Sequence, residues 1–177
     1  MVQDENIFVL TVWEVRNIRQ ISRLEGHTDE VNCVDMRGHL LVSGGCDTKL
    51  RLWDWRSGQC VAVLEGHGGK VWSVSCDLFR VASGGRGGEV RLWTLEDTAR
   101  RLVRREDGDI VEDKYDEGRV LFAHPRSSSV ASIHVDRFSL VSGDGLAMVI
   151  QWDFWASQSK TCPCKQYTDP VPDPLEL

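Results

Sequence analysis

The sequence predicts an all-β chain made of short antiparallel sheets that repeat along the chain, and three observations support this fold class. Seven Trp and sixteen Gly stand against two Tyr and five Pro, which favours short strands and tight turns over helices. Apolar and polar residues alternate over short stretches, as in a half-buried strand. Three segments return after 40 residues: LEGH at 24–27 and 64–67, SGG at 43–45 and 83–85, and LRLW at 50–53, which becomes VRLW at 90–93.

Composition narrows the class of protein further. With 177 residues, 41% hydrophobic and 27% charged, the chain is long enough for a core and too apolar for general disorder. No run approaches the length of a membrane span, and the N-terminus lacks a signal-peptide pattern, so we expect a cytoplasmic location, with the nucleus as the alternative. The net charge of −6 argues against nucleic acid as a partner.

The elements follow from the repeat, taken in chain order. We expect the last strands of a partial unit over 1–25, full units over 26–65 and 66–105, an acidic insertion forming a loop over 106–129, a degenerate unit over 130–160 and a disordered tail over 161–177. Each unit holds four strands, a to d. The landmarks Val130, Ser142 and Trp152 recover the register after 19 inserted residues.

These residues resemble WD40 repeats. Gly26-His27 and Gly66-His67 precede strand a, Ser43-Gly44 ends strand b, and Trp53-Asp54 ends strand c. The resemblance implies a β-propeller of four-stranded blades, whose closed forms use roughly four to eight blades. About three and a half blades are present, so we expect a partial, unclosed propeller: a fragment or truncated isoform, or a half-ring completed by another chain. Bare blade flanks would then favour self-association.

A finer resemblance concerns the short connection between strands a and b. It is similar to the propellers of F-box/WD40 proteins, the substrate receptors of ubiquitin ligases, although no Leu- and Pro-rich helical segment precedes the repeats. This resemblance implies a protein-interaction module that reads acidic or phosphorylated degrons. The alternatives are a WD40 scaffold for a multiprotein complex without a ligase link, and a non-functional truncated product.

His27, Ser43 and Asp47 contain the residue types of a hydrolase triad. The resemblance instead implies a structural hydrogen-bond tetrad of His27, Ser43, Asp47 and Trp53. Ser43 lacks the nucleophile-elbow pattern of a hydrolase, so we expect no catalysis and no cofactor. Equivalent positions in the later units are His67, Ser83, Trp93, Ser142 and Trp152. Gly87 replaces the Asp in the second unit and Leu146 in the third, where His124 is a displaced candidate, so these networks should be incomplete.

Three residues are candidates for partner binding. In the related receptors, the residue after the first Val of strand a and the residue before the b–c Asp line the binding face. The first position is Asn32, Trp72 and Ala131 in the three units. The second is Cys46, Arg86 and Gly145. We therefore expect Asn32, Trp72 and Arg86 to contact a partner, with Arg86 suited to phosphate.

Two remaining segments are less specific. The run from Glu106 to Glu117 is acidic but lacks calcium-loop spacing, so it is interpreted as a solvated loop, or as a d–a loop that competes for Arg86. Cys162 and Cys164 form one close pair, which alone is a weak metal signal, and no metal site is expected.

Overall fold

The computed structural model describes residues 8–77, 80–95, 119–123, 129–146, 149–153 and 165–167. These residues form fourteen strands: β1 Phe8–Glu14, β2 Arg19–His27, β3 Val31–Arg37, β4 Leu40–Gly45, β5 Leu50–Asp54, β6 Gln59–Leu64, β7 Val71–Cys76, β8 Arg80–Gly85, β9 Glu89–Thr94, β10 Arg119–Ala123, β11 Val130–Val135, β12 Ser139–Asp144, β13 Val149–Asp153 and β14 Lys165–Tyr167.

The strands form four antiparallel sheets in chain order. The first sheet holds β1 and β2, the second β3 to β6, the third β7 to β10 and the fourth β11 to β14, and consecutive strands pair within each sheet. Among the described strands, no sheet closes on itself. The prediction of an all-β fold with about three and a half four-stranded units is confirmed.

Tight turns join the first two strands of each four-stranded sheet. Between β3 and β4 the chain turns at Gly38, whose φ of 59° suits a residue without Cβ. In the third and fourth sheets an aspartate closes this turn. Asp77 accepts the N–H of Arg80 at 2.7 Å, and Asp136 accepts the N–H of Ser139 at 2.7 Å. These local hydrogen bonds explain why so few residues suffice for the connection.

The sheets stack face to face in chain order, and the core lies between them. One apolar cluster joins the second and third sheets and another joins the third and fourth. The approach is close where β4 and β8 end, because a Cβ on Gly44 would lie 2.6 Å from Val71 Cγ1 and one on Gly84 would lie 2.5 Å from Val130 Cγ1. At the equivalent Gly143 of the fourth sheet, no atom lies within 4 Å of such a Cβ.

The structure corrects the expected position of the insertion. The interval 106–129 contains β10, which pairs with β9 as the fourth strand of the third sheet, so the prediction of a loop throughout this interval is wrong. The long connection therefore joins strands c and d, not strand d to the next strand a. Residues 106–117 themselves lie outside the described residues.

A second correction concerns the C-terminal end. The interval 161–177 was expected to be a disordered tail, but Lys165–Tyr167 pairs with β13 and forms the fourth strand of the fourth sheet. A three-residue strand with one apolar side chain carries too little periodicity to be recognised in a sequence. Cys162 and Cys164 lie outside the described residues. In the described ranges, no helix is long and apolar enough to cross a membrane.

Candidate functional site

A complete hydrogen-bond tetrad lies at the contact between the first and second sheets. Trp53 Nε1 donates to Ser43 Oγ at 2.8 Å, and Ser43 Oγ lies 2.7 Å from His27 Nε2. His27 Nδ1 lies 2.7 Å from Asp47 Oδ2. A neutral imidazole with its proton on Nδ1 fits this chain, because the carboxylate accepts that proton and Nε2 then accepts the serine O–H. Trp53 belongs to β5, Ser43 to β4 and His27 to β2 of the neighbouring sheet, so the tetrad ties two sheets together.

The tetrad is buried, which decides between a structural and a catalytic role for its serine. Ser43 is 0% exposed and His27 5%, so Ser43 Oγ is not presented to a substrate. Burial lowers the pKa of His27 below its usual value, against the opposing effect of the Asp47 carboxylate. The imidazole is therefore neutral at pH 7 and serves as a hydrogen-bond relay between strands.

The third sheet repeats the tetrad with a different acid. His67 Nε2 lies 2.6 Å from Ser83 Oγ, and Trp93 Nε1 donates to Ser83 Oγ at 2.9 Å. Among the described residues, no hydrogen-bond partner reaches His67 Nδ1, and the aspartate position of this unit is occupied by Gly87. Glu89 nevertheless places Oε2 at 3.5 Å from that nitrogen, so a carboxylate faces this histidine too.

Arg91 holds Glu89 away from the histidine. Arg91 Nη2 lies 2.7 Å and Nε 2.8 Å from Glu89 Oε1. Burial lowers the pKa of His67 to about 4, although the Glu89 charge acts to raise it. Glu89 is the first carboxylate after Gly87 in the sequence, which is the one signal that could have found it. Its approach to His67 depends on the conformation of its side chain, which a sequence does not show.

The fourth sheet keeps only part of the pattern among its described residues. Ser142 is fully buried, while Leu146, at the position of Asp47, is 66% exposed. Ser142 pairs with Ile150 and Leu140 with Trp152, the same register as in the second and third sheets. His124 lies outside the described residues. Leu146 cannot supply the carboxylate that Asp47 gives the second sheet, and the incompleteness of this third network stays a prediction.

The three candidate positions at the start of strand a share a backbone feature. The pairing of β3, β7 and β11 with the next strand shifts register between the first and third residues. The residue at this bulge is Asn32, Trp72 or Ala131. A bulge re-aims the side chain that it carries, and Trp72 is 41% exposed. All three lie at one end of the stack, which we call the top end, where β3, β7 and β11 begin.

Two cations lie at the top end of the third sheet: Arg86 in the b–c turn and Lys70 directly before β7. The Arg86 N–H donates to the Lys70 carbonyl at 2.8 Å, and the Arg86 side chain is exposed. A hydrogen bond with the Cys46 side chain raises the pKa of Lys70, and the nearby Asp29 and Glu30 charges add to this. The surface formed by the exposed Trp72 and Arg86 and the half-buried Lys70 is called the top-end patch below.

The structure gives Asn32 a different role from the one predicted. Its Nδ2 donates to the Val71 carbonyl of the next sheet at 2.9 Å and lies 3.4 Å from Cys46 Sγ. Asn32 thus joins two sheets with the group that was expected to face a partner. Lys70 was missed because a lone lysine before a strand has no distinctive pattern in a sequence.

The thiols do not form a metal centre in the part of the chain that the structure describes. Burial raises the pKa of both Cys33 and Cys76 to about 12, so these thiols stay protonated at neutral pH, whereas metal ligation requires thiolates. Within the same ranges, no group of three or more His, Cys, Asp or Glu residues is placed to hold a metal ion.

Comparison with known proteins agrees with this geometry. The family model described as WD domain, G-beta repeat matches residues 18–54 and 58–94, so this part of the chain carries two WD40 repeats. The two matched repeats and the stacked four-stranded sheets of the described residues are consistent with a partial, unclosed WD40 β-propeller. WD40 repeats are typical of protein-interaction modules and not of enzymes.

A solved structure supports the fold over a longer range. The computationally designed Ika8 protein, in a crystal structure, is similar over 81% of this chain with a TM-score of 0.58 and 21% sequence identity. The chain spans 39% of the length of that protein. The comparison with curated proteins gave no match.

The matched segments are out of phase with the sheets. Residues 18–54 contain β2 of the first sheet and β3 to β5 of the second, and residues 58–94 contain β6 of the second sheet and β7 to β9 of the third. Each matched repeat therefore contributes the outer strand of one sheet and three strands of the next, so that the two repeats span the contacts between the first and second sheets and between the second and third.

Proposed function

We propose that this chain is a protein-interaction module that captures an acidic or phosphorylated peptide at the top-end patch. The observation that carries the proposal is an exposed indole on a bulge, Trp72, at the same end of the third sheet as the exposed Arg86, whose N–H binds the Lys70 carbonyl. Arg86 offers a planar fork to a carboxylate or phosphate, and Lys70 adds a second positive charge. Trp72 offers an apolar plate of the kind that concentrates binding energy in interfaces.

The patch favours a peptide in which an anionic residue neighbours an apolar one. Electrostatic attraction would steer the anion to Arg86, and the adjacent apolar side chain would stack on Trp72. The resemblance to F-box/WD40 receptors supports a finer proposal, that such a peptide is a degron and that the chain is the substrate-recognition part of a ubiquitin ligase receptor.

Peptide binding tests the site directly. A fluorescein-labelled peptide with phosphoserine next to leucine should bind the chain at least tenfold more tightly than its unphosphorylated counterpart, as measured by fluorescence anisotropy. Arg86→Glu should abolish this preference, and Trp72→Ala should weaken both peptides. Arg16→Glu is the matched control, because Arg16 is an exposed arginine in the β1–β2 turn, at the other end of the sheet.

Two outcomes would contradict the proposal. Equal affinity for the two peptides would exclude an anion site, and equal binding by the Arg86→Glu and Arg16→Glu variants would place the site elsewhere. The ligase role is tested separately by the full transcript. An F-box segment in the same reading frame would support it, while repeats alone or another fused domain would favour the assembly scaffold.

A further inference from the structure

The second sheet carries an indole at the end opposite the top end, which we call the bottom end. Two turns meet there: residues 38–39 join β3 to β4, and residues 55–58 join β5 to β6. Trp55 Nε1 donates to the Gly38 carbonyl at 2.8 Å, and the Trp55 N–H donates to the His39 carbonyl at 3.3 Å. The tryptophan thus fixes one turn to the other.

Two further groups contact the ring of Trp55. The His39 ring lies 6.4 Å from the indole, centroid to centroid, at an interplanar angle of 60°. The Arg56 guanidinium lies over the indole, with its Cζ 5.5 Å from the ring centroid. An aromatic face restricts the orientation of a guanidinium and leaves its fork of N–H donors pointing outward. His39 and Arg56 are both exposed, so their donors are available to a ligand.

The carboxylate of the same turn does not neutralise the Arg56 side chain. Asp54 Oδ1 accepts the backbone N–H of Arg56 at 3.1 Å, and Oδ2 accepts the Ser57 O–H at 3.0 Å. Both oxygens therefore stabilise the turn. Among the described residues, neither Arg56 nor the exposed Arg37 at the end of β3 forms an ion pair with a carboxylate.

The carboxylate that lies nearest to Arg37 along β3 faces the next sheet. Asp35 Oδ2 accepts the Cys76 N–H of β7 at 2.7 Å. Ser75 Oγ makes the equivalent bond one sheet contact later, where it accepts the Val135 N–H of β11 at 3.2 Å. Asp35 thus belongs to a repeated contact between sheets. The outer surface of the bottom end therefore presents arginines, while the carboxylates bind backbone and turn groups.

The indole distinguishes this end of the second sheet from the equivalent turns of its neighbours. Forty residues after Trp55, the third sheet has Leu95, which is 1% exposed. The first sheet has Val15, followed by Arg16 at the position of Arg56. An arginine at this turn position is therefore repeated, but in the first sheet the residue before it offers no aromatic face.

We propose that the surface of Arg37, His39, Trp55 and Arg56, the bottom-end patch, binds an acidic segment of a second protein. Carboxylates of the segment pair with the arginines and His39, and an apolar side chain among them packs on the exposed part of the Trp55 ring. The cations come from two separate connections, so they suit a row of carboxylates better than a single phosphate. The chain then holds two partners at once, one at each end of the stack.

A labelled peptide of repeated Glu-Asp-Leu units tests this surface, and the same peptide with Gln and Asn in place of the acids is its neutral counterpart. In fluorescence anisotropy, the full chain should bind the acidic peptide at least about tenfold more tightly than the neutral one. Arg56→Glu should weaken the acidic peptide by about tenfold or more, because repulsion replaces attraction. Arg16→Glu is the matched control, with the same charge change at the equivalent turn position, and should change the affinity by less than about threefold.

A second variant separates the ring from the charges. Trp55→Leu places the residue of the third sheet at this position and keeps both arginines. It should bind the acidic peptide about threefold to tenfold more weakly, with circular dichroism as the check of folding. Equal binding of the two peptides, equal loss in Arg56→Glu and Arg16→Glu, or unchanged binding by folded Trp55→Leu would overturn the proposal.

Competition distinguishes the two ends of the stack. The unlabelled peptide with phosphoserine next to leucine should leave the acidic peptide bound, because the bottom-end patch is separate from the top-end patch. Displacement would show that the acidic peptide occupies the top-end patch and would overturn the second site. The preference for phosphoserine at the top end is measured with a different peptide and with Arg86→Glu, so either proposal can fail while the other stands.

Discussion

At the scale of single residues, the second and third sheets hold a buried imidazole in two different ways. Asp47 bonds His27 directly and also accepts the backbone N–H groups of Thr28 and Lys49, each at 3.2 Å. Glu89 stays 3.5 Å from His67 because Arg91 takes its other oxygen. Glu89 therefore offsets less of the free energy needed to protonate the buried His67 than Asp47 does for His27.

This difference predicts a loss of stability in mild acid that depends on His67. The pKa of His67 in the folded chain, about 4, lies below its ordinary value of 6.5, so the unfolded chain binds the proton more tightly. The contribution of neutral His67 to the free energy of unfolding is complete above pH 6.5. It is lost as the pH falls towards 4, and the loss is on the order of 3 kcal/mol. Urea unfolding of the parent chain and His67→Gln across this range should show a flatter pH dependence for the variant. Parallel curves would contradict the assignment.

The sequence predicts those members of the tetrads that keep their place in the repeat. His27, Ser43 and Trp53, and their counterparts in the third sheet, occupy the expected register. Glu89 was not predicted. Its approach to His67 depends on the conformation of its own side chain and on the position of Arg91, and the spacing of residues in a sequence shows neither.

At the scale of elements, the sheet contacts depend on a glycine that the repeat places at one position. Gly44 and Gly84 face the first valine of the next inner strand, and a Cβ there would lie 2.6 Å or less from its side chain. Gly143 holds the same position in the fourth sheet and faces open space. One sequence position thus has two different environments, depending on whether another sheet follows.

The matched pair Gly84→Ala and Gly143→Ala tests this difference. Gly84→Ala should lower the free energy of unfolding by about 1–3 kcal/mol, because the added methyl displaces Val130. Gly143→Ala should change it by less than about 0.5 kcal/mol in the destabilising direction. Both values are obtained from chemical denaturation. Equal destabilisation by the two substitutions would show that the flank of the fourth sheet is covered in solution.

Strand positions were predictable where the 40-residue period holds, and were not where it is broken. The spacing from Trp93 to Val130 gives the size of the insertion but not its place, so β10 was assigned to a loop. The inter-sheet roles of Asp35 and Ser75 were also missed. Both residues lie at the same position of the repeat, yet their partners belong to a different sheet, and a single sequence does not show which faces meet.

At the scale of the whole molecule, the stack behaves as an array in which each sheet contacts only its neighbours. Stability in such arrays is a sum of unit and contact terms. The second sheet contacts the third through complete bridges and a shared core, whereas the first sheet contacts the second through its outer half alone. We therefore expect the first sheet, which has the smaller contact, to unfold locally before the second and third sheets.

Native-state hydrogen exchange measures this order. We expect the slowest exchange in β4 and β8, which are buried and lie in the centre of the stack, and the fastest in β1. Equal protection from exchange in all strands would instead show that the sheets unfold as one cooperative unit, which contradicts the stepwise opening expected of an array.

The position of the long connection between β9 and β10 also affects the order in which the strands of the third sheet leave the ribosome. In the second sheet, β6 follows β5 after four residues, so the last strand is synthesised almost at once. In the third sheet, residues 95–118 separate β9 from β10. At roughly 5–20 residues per second, a ribosome needs about one to five seconds to cross this stretch. For that time the nascent third sheet has three strands and presents β9 as an open edge, which is the form in which strands pair with the wrong chain.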